Sequence, residues 1–190
     1  MTANETLAYG MSVFLLLSVG LGLLFSKQIK RRYTDWYLFA TVKKLGNDIL
    51  QNIILTDGMD GTVCIDNLVL MADGILVVSV GRYQGAVFAS EKIDLWTQVV
   101  GKRSYKFNNP LLKLEQDIAA VKANFPKINI SGILVFSTCV SFPKGKPDNV
   151  ISVIEAKQRF ADVPAQGTRV AEQDAWDKLR NNILSETRVC

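Results

Sequence analysis

The chain has 190 residues, of which 48% are hydrophobic and 21% charged, a composition that excludes a disordered chain and leaves room for little more than one domain. It contains no histidine, which excludes every mechanism that needs an imidazole base or ligand, such as Ser-His-Asp hydrolysis. The formal net charge is +4. The positions of the basic residues along the chain indicate which kind of partner this positive charge would attract.

The first predicted element is an apolar stretch without a charged residue at 7–26, after a short N-terminus at 1–6 that contains Glu5 and no basic residue. At about 1.5 Å per residue, a helix of this length crosses the hydrocarbon core of a bilayer. A signal peptide would begin with basic residues, so we expect a retained anchor. Four basic residues follow it directly: Lys27, Lys30, Arg31 and Arg32. Such residues accumulate on the cytoplasmic side, which predicts a single-pass protein of the cytoplasmic (inner) membrane with the N-terminus outside and the C-terminal domain in the cytoplasm.

The N-terminal 32 residues support two further expectations, one from their charges and one from their small residues. Residues 1–32 have a net charge of +3, which leaves +1 for 33–190. The basic surplus therefore indicates attraction to anionic lipid headgroups more than a nucleic-acid surface. Ser18, Gly22 and Ser26 form a stripe of small residues that favours close packing of two helices, but such stripes are common by chance. A homodimer through this helix stays an open alternative.

The body begins with a basic juxtamembrane and connecting segment at 27–42, and helical spacing of apolar residues over 33–51 predicts one amphipathic helix that weakens near Gly46. Turn residues and apolar runs then predict strands at Asn52–Leu55, Thr62–Met71, Ile75–Val80 and Gln84–Phe88, with a loop at Asp57–Gly61. A helix opened by proline follows at Pro110–Asn124, and another buried strand at Ser131–Phe136. The order strand, helix, strand implies a crossover connection and an α/β fold.

The C-terminal extension at 141–190 contains a surface loop and a final helix. Proline and glycine mark the loop at Phe142–Asn149, and Val150–Ile154 follows as a predicted edge strand. The pattern at Val170–Leu184 predicts an amphipathic helix that buries Trp176, Leu179 and Ile183.

Several features of the region 43–140 resemble one known family when they are taken in order. They are LGNDIL, then CIDNLVLMADGILVVSVGRYQG, a single Trp96, FNNPL at the head of a helix, and SGILVFS. This arrangement resembles the NERD (nuclease-related domain) family of the restriction-endonuclease-like PD-(D/E)xK superfamily. The resemblance implies an α/β, restriction-endonuclease-like mixed sheet flanked by helices, preceded here by the N-terminal transmembrane helix.

The resemblance also implies a catalytic site, and this chain departs from it. The superfamily cuts phosphodiesters with water activated on Mg²⁺, which is held by an aspartate on one strand and by Glu-x-Lys on the next. Asp66 stands at the aspartate position, but Ser79 and Gly81 replace the glutamate and the lysine. Asn47 and Lys113 also replace a glutamate and a glutamine that the family has. We therefore expect no intact catalytic set and regard Asp66 as vestigial, either a remnant metal ligand or an aspartate that bonds the backbone.

Three sequence features could restore the missing charges. Arg82 follows Gly81 and would reach the site only if Gly81 formed a bulge. Asp48 could approach Asp66 from the preceding helix and supply a second carboxylate. A literal Glu-x-Lys at Glu155-Ala156-Lys157 is more typical of the start of a solvated helix.

One basic cluster is a candidate nucleic-acid surface. Lys102, Arg103 and Lys106 alternate with Tyr105 and Phe107, a pattern that suits a phosphate backbone with stacked bases. The alternative is a solvated loop beside the Trp96 strand. Arg82 and Lys113 complete the set of candidate nucleic-acid-binding residues.

These observations predict a membrane-anchored, catalytically inactive nuclease-like domain that acts as a binding or scaffold module in a membrane-associated assembly. We expect the lipid bilayer and protein partners as its interactions, with nucleic acid as a further possibility, and no metal or cofactor. The alternative is an active Mg²⁺-dependent DNA or RNA nuclease with relocated catalytic residues.

Overall fold

The computed structural model of the chain describes residues 36–58, 61–160 and 170–185. The chain divides into two compact units, Met1–Tyr37 and Leu38–Cys190. The predicted membrane segment, its basic flank and its stripe of small residues lie outside the described residues. Within the described ranges, no helix combines the length and apolar character needed to cross a membrane.

After the helical residues 36–42, the described elements follow in chain order. They are β1 (Asp48–Thr56), β2 (Thr62–Met71), β3 (Gly74–Gly81), β4 (Gly85–Phe88), β5 (Leu95–Val100), β6 (Arg103–Asn108), α1 (Pro110–Asn124), β7 (Ile130–Phe136), β8 (Val140–Ser141), β9 (Val150–Ser152), α2 (Val153–Phe160) and α3 (Val170–Ser185).

The larger sheet has five strands in the order β1-β2-β3-β7-β9. Its first three strands are antiparallel neighbours, whereas β3, β7 and β9 run parallel. Helix α1 packs on this sheet where Gly132 of β7 leaves space, because a Cβ atom there would lie 2.5 Å from Cδ1 of Ile118. The expected mixed α/β fold with a crossover connection is therefore confirmed.

A second sheet of four strands, in the order β6-β5-β4-β8, was not expected from the sequence. Strand β6 covers residues that the loop interpretation assigned to a solvated connection, so that interpretation is wrong. Residues 100 and 103 pair across a two-residue turn in which Gly101 has a φ of 60°, a conformation that hairpin turns require and that glycine adopts without strain. The side chain of Trp96 in β5 is fully buried, and its Nε1 donates to the carbonyl of Ser90 at 2.9 Å.

The predicted helix over 33–51 is wrong in its second half, because the helical residues end at 42 and β1 begins at Asp48. The chain changes direction at Gly46, between the end of the helix and the start of β1. A Cβ atom at this position would lie 2.4 Å from the carbonyl oxygen of Leu70, and the next amide, of Asn47, donates to that same oxygen at 2.8 Å. Pairing with β2 thus overrides the helical spacing of the apolar residues that follow.

The C-terminal elements agree with prediction except at one boundary. Strand β9 lies at the edge of the larger sheet as expected, but it ends at Ser152, and α2 begins where the strand was expected to continue. Helix α3 buries Trp176 and Leu179 as predicted. The side chain of Ile183 lies outside the described residues.

Candidate functional site

Asp66 lies on β2 at the place where β2 and β3 stop pairing. The ladder between the two strands ends at Leu68 and Val77, and Asp66 and Ser79 are each two residues beyond that pair. The side chain of Asp66 is 45% exposed. Side chains two residues apart on a strand point to the same face, so Asp66 shares the face of the buried Leu68.

The two positions that the family fills with glutamate and lysine are packed into the interior here. Ser79 is buried, and its hydroxyl has no hydrogen-bond partner among the described residues. A Cβ atom at Gly81 would lie 2.8 Å from Cε1 of Phe136, which is closer than carbon atoms pack. The space that a lysine would need is therefore filled by an aromatic ring of the neighbouring strand.

Phe136 belongs to a cluster of aromatic side chains, with centroid distances of 5.7 Å to Tyr83, 6.3 Å to Trp96 and 5.2 Å to Phe142. Tyr83 also stacks on Phe107 at 4.2 Å. Burial raises the pKa of the Tyr83 phenol above its ordinary value. The cluster contains residues of both sheets, so a side chain added at Gly81 would disturb the packing between them.

Helix α1 brings a different lysine to Asp66, and its start is held by Asn109. The side chain of Asn109 accepts from the amide of Leu111 at 3.0 Å and donates to the carbonyl of Ile93 at 2.9 Å, while Pro110 occupies the first turn. Asparagine before proline is a favourable helix start because the side chain replaces a missing backbone partner. The buried Leu114 then fixes the rotation of the helix on the sheet.

Lys113 extends from this helix to the backbone of β2. Its Nζ atom donates to Oδ2 of Asp117 at 2.8 Å and to the carbonyl of Cys64 at 3.1 Å. It also forms an ion pair with Oδ1 of Asp66 at 3.8 Å. The ammonium therefore contacts two carboxylates and one carbonyl. Asp66 is thus paired with Lys113, and its role as a remnant metal ligand or as a backbone-bonding aspartate stays a prediction.

Asp117 is the residue of this site that the sequence did not predict. Its side chain has no solvent exposure, and within the described part of the chain Oδ1 has no hydrogen-bond partner. Burial raises the pKa of its carboxyl group, the Lys113 hydrogen bond and charge lower it, and the charge of Asp66 raises it further. A signal existed in the sequence, because Asp117 interrupts the apolar stripe of Leu111, Leu114 and Val121 that faces the sheet.

The other residues that could have supplied the missing charges lie elsewhere. Asp48 accepts a hydrogen bond from Nε1 of Trp176 at 2.9 Å and forms an ion pair with Arg180, so the expectation that it joins Asp66 is wrong. Arg82 is exposed just after β3, and the register of β3 with β7 is continuous through Gly81, so the required bulge is absent from this strand.

The Glu-x-Lys sequence at 155–157 contributes its glutamate to a helix cap. Glu155 Oε2 accepts from the amide of Ser152 at 2.6 Å, and the hydroxyl of Ser152 accepts from the amide of Glu155 at 3.2 Å. These two bonds form a capping box at the start of α2. The prediction that this motif begins a solvated helix is confirmed.

The candidate nucleic-acid residues do not share one surface. Lys102 lies in the turn before β6, while Arg103 and Lys106 are exposed on that strand. Residues three apart on a strand point to opposite faces, so Arg103 shares the face of Tyr105, and Lys106 points to the other face. Lys113 is engaged by the two carboxylates. A nucleic-acid role for these residues and Arg82 stays a prediction.

The Mg²⁺ ion that the family implies does not fit the residues present. A hard divalent cation needs several oxygen ligands, and the described residues contain no group of three or more Cys, Asp or Glu side chains suited to hold a metal. The two carboxylates that do lie together are already contacted by the Lys113 ammonium. A metal bound between them would have to displace a positive charge.

Comparison with known proteins assigns the family. The model of the nuclease-related domain (NERD) matches residues 30–137, more than half of the chain. A Bacillus anthracis protein described as uncharacterized is 30% identical over 74 residues, which are 39% of this chain and 35% of that relative. The chain thus matches about a third of the length of this curated relative. No solved structure matches the chain. The chain belongs to the nuclease-related domain family.

Proposed function

We propose that this chain is a membrane-anchored nuclease-related domain that does not cut phosphodiesters and acts as a binding scaffold. The observation that carries the proposal is the filling of the lysine position. Phe136 occupies the space beside Gly81, so no ammonium can project from that strand to ready a water molecule. The buried Ser79 hydroxyl cannot replace a carboxylate as a ligand for a hard cation.

The anchor in this proposal is the apolar segment 7–26 with its basic flank. Its length suits the hydrocarbon core, and the four Lys and Arg residues after it favour a cytoplasmic position for the domain. A tether of this kind keeps the domain at the membrane surface. Partners are therefore expected among proteins that assemble there.

A protein partner is favoured over nucleic acid by charge. Residues 33–190 have a net charge of only +1, whereas nucleic-acid binding depends on a clear basic surplus. The exposed basic residues of β6 are further divided between its two faces. These charges therefore favour a scaffold that binds proteins.

One observation favours a second candidate, an active nuclease with relocated residues. Asp66, Asp117 and Lys113 supply two carboxylates and one lysine, the chemical types of the lost set. The arrangement is nevertheless unsuited to metal binding. Asp117 is fully buried and is hydrogen-bonded by the ammonium itself, so a cation entering between the carboxylates would meet like charge.

Nuclease activity of the full chain, purified in detergent, tests the proposal. We expect no cleavage of linear, nicked or single-stranded DNA, or of RNA, with either Mg²⁺ or Mn²⁺. The physical reason is the lack of a positioned lysine and of a ligand set that can hold the ion. The measurement is product formation over time, compared with a chain that carries Asp66→Ala.

The Asp66→Ala chain serves as the matched control for contaminating nucleases. Residual cleavage that is equal in both chains belongs to a contaminant and agrees with the proposal. Cleavage by the unaltered chain that is lost in both Asp66→Ala and Lys113→Ala would contradict it and establish the relocated active site.

A further inference from the structure

The side chain of Lys113 occupies the place of a cation between two carboxylates. We infer that its ammonium group is a built-in substitute for a divalent ion, and that it closes the vestigial site of this domain to metals. This inference deepens the proposed function, because it names what blocks the site. It rests on the contacts of Lys113, Asp66 and Asp117 and is independent of the packing at Gly81.

The ammonium is held by three oxygens from two elements. Asp117 lies four residues along α1, Cys64 supplies a backbone carbonyl of β2, and Asp66 projects from the same strand. An ammonium has three N–H donors, and the distances of 2.8 Å and 3.1 Å account for two of them. The third is available for the more distant carboxylate of Asp66. Lys113 thus links helix and strand as a bound cation would.

The two carboxylates influence one another, which defines them as one site. The charge of Asp66 raises the pKa of Asp117, and burial raises it more strongly. Without Lys113, both groups would present negative charge to the same space, one of them with no exposure to water. A buried carboxylate without a partner is strongly unfavourable, so Asp117 needs either a positive charge beside it or a bound proton.

The same contacts oppose a mobile role for Lys113. If the side chain swung outward to contact an anion, Asp117 would lose the hydrogen bond that satisfies its Oδ2 atom, and its Oδ1 atom has no partner among the described residues. The internal pairing therefore opposes the expectation that Lys113 binds nucleic acid. Its positive charge is used within the domain.

Replacement of Lys113 by glutamine, the residue that the resemblance implies at this position, tests the inference. We expect Lys113→Gln in the full chain to lower the melting temperature by about 6 °C or more without added metal, because a buried carboxylate loses its partner. We also expect the variant to bind Mn²⁺, seen as a saturable rise of the melting temperature and as heat in a calorimetric titration. The unaltered chain should show neither effect.

Two variants serve as controls. Lys122→Gln removes the same charge from an exposed position in the last turn of the same helix, so it should lower the melting temperature far less than Lys113→Gln and should leave the response to Mn²⁺ unchanged. The double variant Lys113→Gln with Asp117→Asn removes the charge of the half-exposed lysine together with that of the buried carboxylate. It should regain stability relative to Lys113→Gln and should not bind Mn²⁺.

If Lys113→Gln does not fold without metal, refolding in the presence and absence of Mn²⁺ provides the same readout. Folding that requires Mn²⁺ supports the inference. Two results overturn it: a folded Lys113→Gln chain that does not respond to Mn²⁺, or an unaltered chain that binds Mn²⁺ through Asp66 and Asp117. Neither result depends on nuclease activity, so the proposed function can fail or stand separately.

Discussion

Gly81 lies at the position where the resemblance implies a lysine, and it is part of the core. Its Cα faces the ring of Phe136, which has no solvent exposure and packs among aromatic residues that hold it from several sides. A ring in this position cannot move without displacing its neighbours. The glycine is therefore required by packing, although its backbone conformation is that of an ordinary strand.

We expect Gly81→Ala to destabilise the domain by about 1–3 kcal/mol, because the new methyl group overpacks the aromatic cluster. Thermal or chemical unfolding measures the change. Phe136→Leu added to Gly81→Ala should recover part of the loss, since it opens the space. Ser79→Ala, two residues earlier on the same strand, is the control and should leave stability unchanged or raise it, because it removes a buried hydroxyl that has no partner among the described residues. A Gly81→Ala chain as stable as the original would contradict the packing explanation.

At the residue level, the sequence predicts the missing Glu-x-Lys better than it predicts the ion pair of Lys113 with Asp66. The absence of Glu-x-Lys can be read directly at Ser79 and Gly81. The pairing of Lys113 with Asp66 could not be predicted, because it depends on how α1 rotates on the sheet. Asp117 carried two local signals, because it interrupts the apolar stripe of α1 and lies four residues after Lys113, the spacing of a helical ion pair.

Among the elements, helix α2 contains a Glu-x-Lys sequence that resembles a catalytic motif but has a structural role. Glu155 is bonded by the Ser152 amide and by Nζ of Lys146 at 2.9 Å. The backbone bond from Ser152 is the main reason that the pKa of Glu155 lies below its ordinary value. Because the carboxyl group is partly exposed, its contribution to stability is modest.

The stability of the domain should depend on the charge of Glu155 in a defined pH direction. A carboxyl group with a lowered pKa in the folded chain stabilises it above the ordinary pKa, and this contribution is lost as the pH falls through the folded-state value. We therefore expect Glu155→Gln to lower the melting temperature near neutral pH, and we expect this difference to shrink as the pH falls through the lowered pKa of Glu155. Glu115→Gln, an exposed change of the same charge on α1, is the control. A difference between Glu155→Gln and the unaltered chain that does not vary with pH would contradict this origin.

The bounds of β2 and α1 were predicted from local signals, because turn residues frame the strand and Asn109-Pro110 begins the helix. The helix expected to reach Gln51 fails for a long-range reason, since the close approach of Gly46 to β2 redirects the chain. Strand β6 was missed because its residues are mostly exposed and polar, and only the turn at Gly101 indicates a hairpin.

For the whole molecule, the aromatic cluster and the ion-pair site show how the elements of this nuclease-related fold are joined. The cluster packs residues of both sheets around Gly81. The Lys113 site joins α1 to β2. Under the proposed function, these two features hold the architecture together without the electrostatics that hydrolysis needs.

We infer that the Lys113 ammonium group holds the place of a divalent ion. Crystals of the full chain soaked in Mn²⁺ provide the decisive measurement, because anomalous scattering locates the ion independently of any activity. We expect no anomalous peak at coordination distance from Asp66 and Asp117, with the Lys113 Nζ atom between the two carboxylates. A peak bound by oxygens of both carboxylates, with the Lys113 side chain displaced, would contradict the claim.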